Sequence, residues 1–221
     1  MLTNQATLAD WDDYYHKPIA NGSNHSPLWV GIGHLIYITG PSCTYPSIWF
    51  SGEPGMGKTH LAKILGVLYA SVTGKVSYYC NWTHKIRQLQ EAMDGGPSTT
   101  LEREKAANLL VLDDLGAERV THWELTQLYD VVNARYERRL PTIFTSNCML
   151  DQVYKGHVRE GVTKRVVFPP FYDLIGRSAR FTDDAQLVQV QAERIRDRLK
   201  VKGGGMLVGE MLLSSEKGSY R

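Results

Sequence analysis

The chain has 221 residues, is 43% hydrophobic and 22% charged, and carries a formal net charge of +2. Such values describe a soluble globular chain of one generous domain, or of one domain with a small appendage. They exclude a membrane-spanning protein, since no apolar run approaches the about 18 residues that a membrane helix needs. Met1 to Asp13 holds three aspartates and no basic residue, so a signal peptide is not expected. The mildly basic balance permits nucleic-acid contact without arguing for it. Cys43, Cys80 and Cys148 are far apart, with neither metal-ligand nor redox spacing, and are expected to be reduced thiols in a cytoplasmic protein.

Residues 1–45 are turn-rich, with Pro18, Pro27 and Pro41 and the Asn21 to Asn24 run. Within them Val30 to Thr39 is apolar and β-prone and reads as a strand or an edge element. Regular patterning begins at residue 47. Ser47 to Ser51 is a short buried-type strand, followed by a glycine-rich loop and a helix from Lys58 to about Ser71, apolar at Leu61, Ile64, Leu65 and Leu68. Lys75 to Trp82 reads as a second strand and Thr83 to Met93 as a helix, ended by the break at Asp94 to Ser98. Leu109 to Asp113 is a wholly apolar strand ending in acid, Thr121 to Arg139 a long amphipathic helix, and Pro141 to Ser146 a fourth strand. The stretch 151–184 is basic and proline-broken. Ala185 to Lys200 is a charged helix and Met206 to Leu213 a last strand. Strands alternating with helices imply a parallel sheet covered on both faces, with ligands at the carboxyl ends of the strands.

Gly52-Glu53-Pro54-Gly55-Met56-Gly57-Lys58-Thr59 fits G-x-x-x-x-G-K-[ST] between a predicted strand and a predicted helix. Glycines let backbone N–H groups converge on phosphates, and the helix presents its positive end to the same anion. Lys58 is expected on the β- and γ-phosphates and the Thr59 hydroxyl on Mg²⁺. Asp113 and Asp114 end the apolar strand some 50 residues later. Asp113 is placed to hold Mg²⁺ through its water shell, and Asp114 to orient or deprotonate the attacking water. Asn147 ends the next strand, where it reads either as a hydrogen-bond donor to the γ-phosphate or lytic water, or as a turn residue.

In these stretches the chain resembles AAA+ ATPases of the DnaC/DnaI helicase-loader group and the closely related IstB-like transposition ATPases. The similarity runs through Gly52 to Ala62 (with His60), Leu109 to Glu118, Pro141 to Asn147, Glu193 to Leu199 and the terminal Gly218-Ser219-Tyr220-Arg221. It implies an AAA+ (RecA-like) α/β domain over 46–221 with helices on both faces and a minimal or absent lid. Residues 1–45 become a short N-terminal extension open to partner binding.

The resemblance also implies roles. Asn147 is similar to the sensor-1 residue. Arg198 resembles the arginine finger that enters a neighbouring subunit's ATP site, with Arg194 the alternative one turn earlier. Arg221 is similar to the sensor-2 arginine. A finger implies self-association with ATP sites at subunit interfaces. Single-stranded DNA binding is expected of the group, and Trp82, Lys85 and Arg87, behind Tyr78 and Tyr79, combine aromatic and basic character suited to it. The expected activity is ATP hydrolysis that loads a DnaB-type replicative helicase in the service of a phage or mobile element. The alternatives are duplex-DNA binding with transposase recruitment, or a nucleotide switch that barely hydrolyses. Two departures stand out: only about 45 residues precede the first strand, where loaders usually carry a helicase-gripping domain, and the basic, proline-broken stretch 155–184 reads as an insertion.

Overall fold

The computed structural model of the chain describes residues 32–33, 47–116, 121–148, 154–155, 167–168, 185–199 and 208–213. Its elements are β1 (Ser47–Gly52), α1 (Lys58–Thr73), β2 (Ser77–Asn81), α2 (Trp82–Met93), α3 (Glu102–Ala106), β3 (Leu109–Leu115), α4 (His122–Glu137), β4 (Thr142–Ser146), β5 (Tyr154–Lys155), β6 (Val167–Phe168), α5 (Ala185–Leu199) and β7 (Val208–Leu213). Strands β2, β3, β4, β1 and β7 lie in that order as one parallel sheet. A short antiparallel pair, β5 with β6, stands apart from it.

The apolar run Leu109 to Leu112 is fully buried, as is every residue of β1 and β4. Strands of that kind need cover on both faces. Alternation along each strand divides the core in two. On one side Ile48, Phe50, Val111 and Ile143 pack with Leu61, Ala62, Ile64 and Leu65 of α1. On the other, Trp49, Leu110, Leu112 and Phe144 pack with Leu125, Leu128, Val131 and Val132 of α4 and Ile195 and Leu199 of α5. Burying each large aliphatic side chain stabilises the fold by about 1.5–3 kcal/mol. Local signals set the helix starts. Asn81 caps α2 by accepting from the His84 N–H at 2.9 Å, and Thr121 with Glu124 forms a reciprocal capping box on α4.

The amino edge of the sheet is tied by one buried cation. Arg135, 1% exposed near the end of α4, donates through Nε to Thr142 Oγ1 at 2.8 Å and through its terminal nitrogens to the carbonyls of Glu104, Ala107 and Pro141. Those acceptors sit on α3 and at the entries to β3 and β4. Burial pushes the guanidinium down to about 9.

α3 is absent from the sequence expectation. It is five residues of charged sequence, too short to show an apolar period, and it forms where Glu104 is sequestered. The Glu104 carboxylate is fully buried and takes the Lys85 ammonium at 2.8 Å, which pins α3 to α2. Of Val30 to Thr39 only residues 32–33 are described, and they are helical rather than extended; Ile32 packs against the α1-side core. Among the described residues no separate helical lid occurs: α5 packs on α4 and β7 extends the sheet beside β1. No helix among them is long and apolar enough to cross a membrane.

Lys85→Ala leaves a buried carboxylate without its counter-ion. It is expected to cost about 3 kcal/mol of stability, read as a lowered midpoint in urea unfolding.

Candidate nucleotide site

The strand order decides what can meet. β4 lies between β1, which runs into the glycine loop, and β3, which carries Asp113 and Asp114 near its carboxyl end. The carboxyl ends of these three strands therefore form one edge, with β4 as the bridge.

Gly55 and Gly57 have φ of 84° and 80°, a left-handed backbone that glycine adopts without strain. Gly57 is also the N-cap of α1, with no side chain occupying the first-turn N–H groups. Those donors and the helix dipole suit an anion. Lys58 is 8% exposed and donates to the carbonyls of Gly52 and Glu53, each at 2.8 Å. Burial pushes its ammonium down to about 8, against the opposing pull of the Asp114, Asp113 and Glu53 carboxylates.

Asp113 is 3% exposed. Its Oδ1 accepts from Thr59 Oγ1 of α1 at 2.8 Å and from Thr145 Oγ1 of β4 at 2.5 Å. Its Oδ2 accepts from the Tyr79 hydroxyl of β2 at 2.6 Å. Thr59 spends its only proton on Asp113, so both its lone pairs are left for another partner. A hydroxyl and a carboxylate oxygen side by side at a phosphate loop are hard oxygen donors of the kind Mg²⁺ takes alongside phosphate. Thr59 and Asp113 therefore fit that ion. Burial, and then the hydrogen bond to Asp113, raise the Tyr79 phenol well above its ordinary range, so it stays a donor.

Asp114 has a φ of 64°, left-handed for a residue with a side chain. Aspartate and asparagine tolerate that region better than other side chains. A register shift between Leu112 and Leu115 accompanies it, and the Asp114 N–H donates to Thr145 Oγ1 at 3.0 Å. Thr145 thus holds both acids, donating to one and accepting from the backbone of the other. Asn147 is half-buried directly after β4. Its neighbours are tied on both sides: Ser146 Oγ donates to Leu115 O at 2.7 Å, and Trp49 Nε1 donates to Cys148 O at 2.9 Å. Its turn is fixed to β3 and to β1.

Gly52 to Thr59, His60, Asp113, Asp114 and Asn147 thus share one edge. Arg198 does not join them. It lies in the last turn of α5, with Nε on Asn133 Oδ1 at 2.8 Å and its guanidinium 4.9 Å from the Tyr136 ring centroid. Asn133 and Tyr136 are in the final turns of α4, at the opposite edge of the sheet. Arg194 lies over Tyr129 at 5.7 Å. Arg221 is outside the described residues. The single-strand DNA residues need correction. Trp82 is 7% exposed and packs in the core, so its ring offers no face to a base, and the Lys85 charge is committed to Glu104. Arg87 is exposed. Cys80 and Cys148 are free and buried; burial, then the Glu104 charge, pushes the Cys80 thiol up to about 12.

A glycine loop between a buried strand and a helix, with a buried aspartate two strands along the same edge, defines a P-loop nucleotide-binding fold. Matching shape supports this: the crystal structure of the DnaC helicase loader has a TM-score of 0.56 and 21% identity, over 94% of this chain and 99% of that one. This chain belongs to the IstB-like ATP binding protein family, whose model matches residues 44–166. Among curated relatives, the phage-like element PBSX protein XkdC of Bacillus subtilis (strain 168) is 30% identical over 119 residues, 49% of this chain and 42% of that protein. The replicative helicase loader DnaC of Buchnera aphidicola subsp. Baizongia pistaciae (strain Bp) is 28% identical over 105 residues, 46% of this chain and 42% of that protein. The chain spans less than half the length of these relatives.

Two expectations follow from the geometry. Phosphates hold the Lys58 ammonium charged, so ATP binding takes up a proton once pH passes the free-site value of about 8. ATP affinity measured from pH 6.5 upward is expected to be flat below about 8 and then to weaken by up to tenfold per unit. For Asp114, Asn keeps the left-handed backbone whereas Ala strains it. Asp114→Asn should retain native stability and ATP binding while losing hydrolysis; Asp114→Ala should lose about 1 kcal/mol of stability as well, read by denaturant unfolding.

Proposed function

We propose that the chain hydrolyses ATP as part of a self-assembled loader that delivers a DnaB-type replicative helicase to single-stranded DNA. In this reading Lys58 leaves the Gly52 and Glu53 carbonyls for the β- and γ-phosphates. Thr59 and Asp113 would hold Mg²⁺, which would supply charge neutralisation at the phosphates. Asp114 orients or deprotonates the attacking water, and Asn147 hydrogen-bonds that water or the γ-phosphate.

The observation that carries the assembly is the position of Arg198. It sits about 18 Å down α4 from that helix's first turn, at the edge away from its own glycine loop. Its Nε is anchored on Asn133 while its terminal nitrogens make no hydrogen bond among the described residues. An arginine so held is of use to a phosphate in a neighbouring subunit and not to its own. Arg221 is proposed as the sensor-2 arginine by resemblance alone. The loading role draws on the sequence relation to the helicase loader DnaC, and the relation to a phage-like element suits a mobile-element setting. A second reading, transposase recruitment on duplex DNA, draws on the IstB-like family itself.

Arg198→Ala is expected to lower ATP turnover of the assembled protein by at least about 100-fold. Mixing it with Lys58→Ala, which has a dead site but an intact finger, should restore part of the activity; no restoration would place the arginine's role in its own subunit. Capture of the replicative helicase by the tagged chain, with and without ATP, tests the loader. No complex in either condition, together with preference for duplex DNA, favours the second reading.

A further inference from the structure

Three elements place a hydroxyl on Asp113, and one of the three lies outside both the glycine loop and the strand beside it. Tyr79 is on β2, at the far side of β3 from the phosphate loop. In the sheet register it pairs with Val111, two residues before Asp113. Two residues along a strand span about 6.6 Å, close to the reach of a tyrosine side chain. The Tyr79 ring therefore lies along the α1 side of the sheet and its hydroxyl arrives at Asp113 Oδ2, 2.6 Å away. From α1 the Lys63 ammonium stands over the ring, 4.4 Å from its centroid. Phenylalanine would fill the same space; only the oxygen makes the contact with the carboxylate.

A carboxylate has about four acceptor positions, two on each oxygen. Thr59 and Thr145 take both positions on Oδ1, and Tyr79 takes one on Oδ2. Among the described residues one position, on Oδ2, is left. We propose that Tyr79 is a positioning residue for the metal-side carboxylate: by occupying one side of Oδ2 it fixes which lone pair Asp113 offers to the water shell of a Mg²⁺ held with Thr59. This rests on the reading of the site as a Mg²⁺–nucleotide site. Partners that orient a metal-side group in this way typically contribute 10–100-fold to metal affinity or activity when removed.

Tyr79→Phe in the full chain tests this. A fluorescent ATP analogue is titrated at rising Mg²⁺ and, separately, in EDTA, with the unfolding midpoint of the nucleotide-free protein as the measure of the fold. The variant is expected to need about tenfold more Mg²⁺ for half-maximal tightening of nucleotide binding. Its affinity in EDTA should match the wild type. An unchanged Mg²⁺ requirement in the variant, beside a Mg²⁺-dependent wild type, overturns the assignment. So does an affinity loss in EDTA as large as the loss in Mg²⁺, because that is a packing defect. A wild-type chain that binds no nucleotide in either condition overturns the reading of the site, and with it the role of Tyr79.

Discussion

The Asp113 carboxylate is where the structure converges. It is buried near the carboxyl end of β3 and accepts hydroxyls from α1, β2 and β4. A carboxyl group so deep needs hydrogen-bond partners, since burying one without them is costly. The donors in turn fix the elements that carry them. α1 must start within reach of β3, so the glycine loop must fold back over the sheet edge. β4 must lie between β1 and β3 for Thr145 to touch both acids. The strand order and the site geometry are one constraint seen at two scales.

The two edges of the sheet are held by opposite chemistries. At the carboxyl edge, acids and hydroxyls surround a lysine parked on loop carbonyls. At the amino edge, the buried Arg135 gathers carbonyls from α3 and the strand entries, with no acid paired to it among the described residues. Arg198 stands at that same edge, on the outer seam between α4 and α5, where Tyr136 and Asn133 restrict its guanidinium. α4 and α5 run in parallel, as the contacts Gln191–Thr126, Arg194–Tyr129 and Arg198–Asn133 advance in step along both. In the proposed assembly this rigid seam would set where one subunit's arginine meets the next subunit's phosphates.

Much of this was legible in sequence because it is local. The glycine loop is recognisable from residue type and spacing, and the apolar run ending at Asp113 shows its burial by composition. The helix starts read at Thr83 and Thr121 lie within a residue of those in the structure, where Asn81 and Thr121 cap helices that begin at Trp82 and His122. What escaped was of two kinds. α3 has no apolar period to read, and its Glu104 is buried only because Lys85 of another helix meets it. Trp82 and Tyr79 looked like a nucleic-acid surface because an aromatic residue carries no mark of which way it faces. One turned into the core and the other onto an acid.

By itself the sequence determined the chemistry available: a phosphate-binding backbone, a lysine, a hydroxyl, two adjacent acids and a buried strand to carry them. It did so because each depends on neighbours within one turn or one strand. Only the tertiary structure decided the company those groups keep. Thr145 became the link between the two acids, Tyr79 the third donor to Asp113, and Arg198 a residue remote from its own site. These contacts join positions 31 to 65 residues apart in the chain. They exist because β4 inserts between β1 and β3 and α5 lies along α4, a matter of strand order and helix packing that no local spacing encodes.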